Sequence, residues 1–229
     1  VKEMNLKFRK TRPLFLSFVC LVTLLALGAS TAFGLAAIVV EPANLNGWSF
    51  ALDSAATTVK GNFMPGPGTA PLGLGSAHLA VTDAGGAGQV VLKTDQFKGT
   101  LLINIASITY STYVSSASTV APMFQVEVDY DGINTGRLIF EPSSALILNQ
   151  QWQQWTPLFD LWYGDTTPDG TCIQFAPCSW ATIRTKWPGA IIDGAVLFKA
   201  GGSAGWANFD GNVDNFTFTT VDLTSTTYD

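Results

Sequence analysis

Histidine is almost absent: His78 is the only one in 229 residues. That excludes any metal centre built on several imidazoles, and no Cys or acidic neighbour in AHLAVT joins His78 in a ligand cluster. A serine hydrolase is not supported by Ser76 either, because lying two residues before His78 does not define a triad. Positive charge is scarce, with 12 Lys and Arg against 17 Asp and Glu, and five of the basic residues lie in the first twelve. No cluster of Lys and Arg remains beyond them to neutralise phosphates, which excludes a nucleic-acid partner. The glycine-rich stretch GNFMPGPGTAPLGLGS (residues 61–76) has no lysine in a P-loop position and no strand-to-helix setting, so it reads as a long ordered loop. There is no tandem repeat.

Long apolar runs are also absent after the start of the chain. The exception is LFLSFVCLVTLLALGAS, which follows Lys2, Lys7, Arg9, Lys10 and Arg12. A basic n-region, an apolar h-region over residues 14–27, and Ser30 and Ala32 ahead of Phe33 form the layout of a secretory signal over residues 1–32. The alternative is an uncleaved anchor reaching to about residue 40, since no charge occurs from Leu14 to Val40. Membrane contact is expected only through this segment. A secreted or cell-surface location follows from either reading, and cleavage leaves 7 basic against 16 acidic residues, a net charge near −9.

Of three cysteines, Cys20 lies in the apolar leader and Cys172 and Cys178 stand in TCIQFAPC with five residues between them. Export favours a disulfide over a metal or thiol site, with two unpaired buried cysteines as the alternative. Such a small ring contributes about 2 kcal/mol.

What the sequence does hold is a succession of short β-branched and aromatic runs, AHLAVT, QVVLK, TLLINI, ITYSTYV, MFQVEVDY, RLIFE, AVLFKA and VDNFTFTTV, separated by Gly, Pro, Asp and Asn. This is the pattern of an all-β antiparallel sandwich, one domain over residues 33–229. One helix interrupts it: SWATIRTKW places Trp180, Ile183 and Trp187 at helical spacing, with Ser179 as N-cap and Pro188 past the end. The tail DLTSTTYD is polar and reads as a frayed end or linker stub.

Several of these pieces together resemble bacterial secreted or cell-surface jelly-roll modules. They are Asn46-Gly47-Trp48, GPGTAPLGLGS, ITYSTYV, SWATIRTKWPGAII and GNVDNFTF. The broader likeness is to carbohydrate-binding modules with a galactose-binding-like sandwich. The resemblance implies a jelly roll and a structural calcium bridging an acid near the first strand and an Asp in the last. Glu41 and Asp214 match those positions, with Asp210 as a further ligand. The alternative is that Asp210 and Asn212 shape a turn and Asp214 faces water.

VEVDYDGINTG (residues 126–136) admits three readings. Alternation puts Phe124, Val126, Val128 and Tyr130 on one face and Gln125, Glu127, Asp129 and Asp131 on the other, with DGINTG as a hairpin loop and Arg137 returning near Asp131. Glu127-x-Asp129-x-Asp131 is similar to the E-x-D-x-E strand of family 16 glucanases, which would make Glu127 and Asp131 the catalytic pair. Asp129, Asp131 and Asn134 offer oxygens for an ion, without EF-hand spacing. The solvated hairpin is the expected outcome.

Aromatic residues are plentiful in WQQWTPLFDLWYG. Rings that stack on pyranose faces, with polar groups to orient the sugar, make Trp155, Trp162, Tyr163, Asp165 and Trp180 the candidate ligand site. Burial in the core is the competing use, and Trp152 and Trp155, three apart, cannot share a sheet face. The expected function is a non-catalytic exported module binding carbohydrate or another cell-envelope component. The alternatives are a structural or adhesive surface protein and a family 16-like hydrolase.

Overall fold

Period-two patterning produces two antiparallel sheets. The computed structural model describes residues 37–52, 59–115 and 117–229. The leader expected over residues 1–32 lies outside the described residues. Among the described residues, no helix is long and apolar enough to cross a membrane.

Among the described residues thirteen strands occur in chain order: β1 (Trp48–Leu52), β2 (Val59–Pro65), β3 (Gly75–Val81), β4 (Gln89–Thr94), β5 (Ile105–Val114), β6 (Met123–Asp129), β7 (Thr135–Phe140), β8 (Trp152–Trp155), β9 (Leu161–Gly164), β10 (Cys178–Ser179), β11 (Ile191–Gly201), β12 (Phe209–Thr220) and β13 (Ser225–Tyr228). One sheet has the order β1-β4-β11-β6-β7-β9-β10, the other β2-β3-β12-β5-β8, and β13 pairs the second half of β12. This is the all-β antiparallel sandwich expected from the jelly-roll reading.

Alternation decides what each sheet turns inward. From β6 and β7 the sheet contributes Phe124, Val126, Val128, Leu138 and Phe140, all buried. From β5 and β12 the facing sheet contributes Ile108, Tyr110, Phe216 and Phe218. The Phe124 ring lies 5.4 Å from Phe198, 5.6 Å from Phe216 and 6.1 Å from Trp162, so four strands are tied through one residue. Aromatic pairs at such distances add stabilisation beyond the area they remove from water.

The helix α1 (Trp180–Lys186) forms where its spacing predicted it. The Ser179 hydroxyl accepts from the Thr182 amide and caps it, while Trp180, Ile183 and Trp187 turn into the core. Its Lys186 reaches Asp169 at 2.7 Å, and that ion pair holds the exposed Asp169 carboxyl down at about 2. Cys172 and Cys178 are bridged, closing the loop that leads into β10.

Three expectations are corrected. Residues 61–65 of the glycine-rich stretch are strand, not loop; β2 is an edge strand, where Pro65 at its end costs no central ladder bond. TLLINI is mostly a single 3-10 turn at Leu102–Asn104. The polar tail is also strand: Thr217 and Thr219 on β12 bond Thr227 and Ser225, and Tyr228 is buried 5.4 Å from Trp48. A strand whose hydroxyls pair across the ladder needs few apolar residues to be read as a tail from sequence.

Candidate functional site

The outer face of the seven-stranded sheet is assembled by register. Lys93, Leu197, Gln125, Ile139 and Tyr163 stand side by side across β4, β11, β6, β7 and β9. Glu127 and Arg137 are the cross-strand pair two positions along. Lys199 and Glu141 lie two positions along on the other side, and Asp165 follows just past β9.

Gln125 is the anomaly in this face. It points away from the core yet is only 2% exposed, and its Oε1 has no hydrogen-bond partner among the described residues. A buried amide oxygen left without a donor costs about 1–3 kcal/mol. Its neighbours form a floor of the same kind: Leu197 and Ile139 are buried on a face that otherwise carries charge. Tyr163 stands at the edge, half-buried, its hydroxyl donating to Glu141 Oε2 at 3.2 Å. Burial holds that phenol far above its ordinary range, with Glu141 and then Asp165 adding to the shift. Burial also lowers the Lys199 ammonium, as does the Arg137 charge, against the pull of Asp165.

Beside this floor a polar cleft of about 370 Å³ is lined by Glu127, Thr135, Arg137, Asp165, Thr166 and Asp193. Two glycines create it by leaving room. A Cβ on Gly194 would fall 2.3 Å from Glu127 Oε2, which accepts from the Ala195 amide in the bulge of β11. A Cβ on Gly136 would fall 2.4 Å from the Thr166 carbonyl, and that close approach lets Asp165 accept from the Arg137 amide at 2.8 Å. The Arg137 guanidinium lies 3.7 Å from Glu127 Oε1. Together the face offers a planar ring edge, a guanidinium, an ammonium, carboxylates and an unpaired amide oxygen above an apolar floor. That mixture matches a ligand with many hydroxyls and apolar ring faces.

The predicted site residues are divided by the fold. Trp155, Trp162 and Trp180 are in the core, which removes them from any exposed stack. Trp155 Nε1 donates to Thr112 Oγ1, Trp162 Nε1 donates to the Pro157 carbonyl, and the Trp162 and Trp180 rings lie 4.9 Å apart. Tyr163 and Asp165 are on the outer face. Adjacent strand residues face opposite ways, so Trp162 and Tyr163 were never able to serve one surface. Gln125, Arg137, Lys199 and Glu141 escaped the sequence reading as ligand residues. For Gln125, Arg137 and Glu141 the signal was the outward row of β6 and β7, which the sequence reading weighs for catalysis, for an ion and as a charged hairpin; Lys199 lies on β11.

Glu127 and Asp131 do not share a strand face. β6 ends at Asp129, and Asp131 lies in the hairpin loop, where its carboxylate accepts from the Ile133 and Asn134 amides and the Asn134 side chain. These bonds lower its pKa, the reverse of what a general acid requires. Arg137 sits opposite Glu127 rather than near Asp131. Asp129 likewise accepts from the Asp131 and Gly132 amides, so the acidic loop spends its oxygens on its own turn, as a hairpin reading requires.

Of the three residues matched to calcium, Glu41 and Asp214 line one cavity and Asp210 is engaged elsewhere. Asp210 binds His78 Nε2 at 3.2 Å and Ser115 Oγ at 2.6 Å. Asp214 accepts from the Leu72 amide at 3.0 Å and the Asn215 amide at 2.6 Å, and Glu41 is exposed. Among the described residues, no three His, Cys, Asp or Glu side chains are grouped to hold a metal. His78 is a strand residue held by Asp210 and by Asn62.

No family model matches the chain, and no curated protein matches it. Solved structures similar to it include one described as the structural basis for the promiscuous specificity of carbohydrate-binding modules from the β-sandwich superfamily, at TM-score 0.45 and 13% identity over 76% of this chain and 58% of that one. Another is the family 11 carbohydrate-binding module of the cellulosomal cellulase Lic26A-Cel5E of Clostridium thermocellum, at TM-score 0.46 and 11% identity over 76% and 88%. A third is the arabinose-bound MgGH51 α-L-arabinofuranosidase, at TM-score 0.45 and 11% identity over 79% of this chain and 24% of that one. At these scores and identities the likenesses say nothing of what this chain binds.

Proposed function

We propose that the chain is an exported, non-catalytic module that binds a carbohydrate along the outer face of the seven-stranded sheet. The observation that carries this reading is Gln125, a buried amide oxygen without a partner among the described residues, at the floor of a face that is otherwise half-exposed and polar. Tyr163 offers a ring to an apolar sugar face, Arg137 with Glu127 and Asp165 addresses vicinal hydroxyls, and a shift of the side chains over Gln125 lets a sugar hydroxyl supply the missing donor. The leader pattern and the disulfide support export to an oxidising compartment. Calcium is not needed for this reading.

The test is a broad glycan panel with Tyr163→Ala and Arg137→Ala as controls. The expected result is selective binding that each control weakens by about tenfold or more, with little change in melting temperature. Binding that survives both substitutions would place the ligand elsewhere. Trp162→Ala is unsuitable as a control, because removing a core ring confuses unfolding with loss of a site.

An adhesive role is the second reading, supported by Phe159 and Phe175, each 92% exposed, near the β9 and β10 edge. Concentration-dependent self-association abolished by Phe175→Ser, with a blank glycan panel, would favour it.

A further inference from the structure

A separate cavity of about 470 Å³ enters the sandwich where β1, the β2 and β3 pair and the last strands meet. Its volume falls within the range of about 300–1,000 Å³ typical of small-molecule sites. The inner wall is apolar, formed by Trp48, Leu92, Phe198, Val213, Phe216 and Tyr228. Three carboxylates, Glu41, Asp214 and Asp229, line it as well.

Two features distinguish it from a packing void. Trp48 is 4% exposed, and its indole Nε1 has no hydrogen-bond partner among the described residues, whereas a buried indole N–H usually finds one. Asp214 is 5% exposed, and the partners described for its carboxylate are the uncharged Leu72 and Asn215 amides. The ion pairs among the described residues use other carboxylates. Burial pushes Asp214 up to about 6, with the neighbouring Asp229 charge adding to the shift against the two amide bonds. Asp229 is itself raised by burial. The cavity thus combines acidic groups lacking a cation, a donor lacking an acceptor and aromatic walls.

We infer that this cavity binds a small aromatic amine, with its ammonium held by Asp214 and Asp229, its ring against Phe216 and Tyr228, and an oxygen accepting from Trp48 Nε1. An ammonium near these rings is favoured by their π faces as well as by the carboxylates. Glu41, exposed at the same opening, adds to the attraction for a cation. The site is distinct from the sheet face proposed to bind carbohydrate, and its ligand is of a different class.

Tyramine is the probe, titrated at pH 7.5 against the full chain with calorimetry and tryptophan fluorescence as readouts. 4-Ethylphenol lacks the ammonium and 2-phenylethylamine lacks the oxygen. The expected order is tyramine tightest, 2-phenylethylamine several-fold weaker and 4-ethylphenol about tenfold weaker or more. Asp229→Asn, at a half-buried position, weakens tyramine by about fivefold or more with an unchanged melting temperature. Asp214→Asn does the same if it folds, and the Asp229 variant decides the matter if it does not. The inference is overturned if 4-ethylphenol binds as tightly as tyramine, if the folded Asp229 variant keeps full affinity, or if tyramine gives no signal up to about 10 mM, a ceiling that corresponds to negligible affinity.

Discussion

The outer faces of the two sheets handle buried polar groups in opposite ways. On the six-stranded sheet, the proline- and glycine-rich loop of residues 66–74 is pinned over the face, and the groups beneath it are partnered. Trp152 Nε1 donates to the Pro67 carbonyl, the Leu72 amide donates to Asp214, and Asn212 donates to Ser76 Oγ. On the seven-stranded sheet, Gln125 is just as buried and its Oε1 has no partner among the described residues. A polar group that folding satisfies is accounted for within the chain; one buried without a partner, as Gln125 Oε1, Tyr130 Oη and Trp180 Nε1 are among the described residues, calls for a water, an ion or a ligand. It is this difference that the proposed carbohydrate site on the seven-stranded sheet rests on.

The largest expected effect breaks both faces together. Trp162→Ala removes the ring that joins Phe124, Phe140 and Trp180, and the denaturant midpoint should fall by the equivalent of about 3–5 kcal/mol. A drop under about 1 kcal/mol would mean the ring is not a core element.

The covered face has its own signature, in pH. Asp214 is raised by burial to about 6, above the unfolded value of about 4. Between those values the folded chain keeps a proton that the unfolded chain has lost, so stability falls as pH rises from about 4 to about 6 and levels off above. The loss amounts to about 2–3 kcal/mol. In Asp214→Asn that decline should be absent when the two melting profiles are subtracted. Parallel profiles would show that the loop does not desolvate the carboxylate.

Next in size is the disulfide, which closes a short ring at the β9 and β10 edge of the open sheet. Replacing Cys172 and Cys178 by Ser should cost about 2 kcal/mol, read by denaturant melts, while the covered face keeps its pH signature. Smallest of all is the effect of chelation: because no three His, Cys, Asp or Glu side chains are grouped among the described residues, EDTA should leave the melting temperature within about a degree. A fall of several degrees would reveal a bound metal.

Much of the fold was legible because it depends on local pattern. The alternation in MFQVEVDY and RLIFE set the facing rows of β6 and β7, and Ser179 with the Trp180, Ile183 and Trp187 spacing set α1. The candidate site was legible only in part. Alternation assigns two faces to a strand without saying which one meets the other sheet, so Trp155, Trp162 and Trp180 were grouped with Tyr163 and Asp165 although the first three are buried. Gln125 carries no local mark at all. Its isolation depends on Leu197 and Ile139 flanking it from two other strands. Likewise the cavity beside Asp214 joins Trp48 to Tyr228, residues from opposite ends of the described chain.

The most direct test of the central claim is Gln125→Met, a substitution close in volume that removes the unpaired oxygen. Measured together, stability and glycan affinity should separate. The melting temperature should hold or rise, because a buried acceptor without a partner is gone, and affinity for the selected glycan should fall about tenfold or more. A variant that loses stability by about 1–3 kcal/mol while binding its glycan as before would show that Gln125 serves the fold, and the account of the open face would fail.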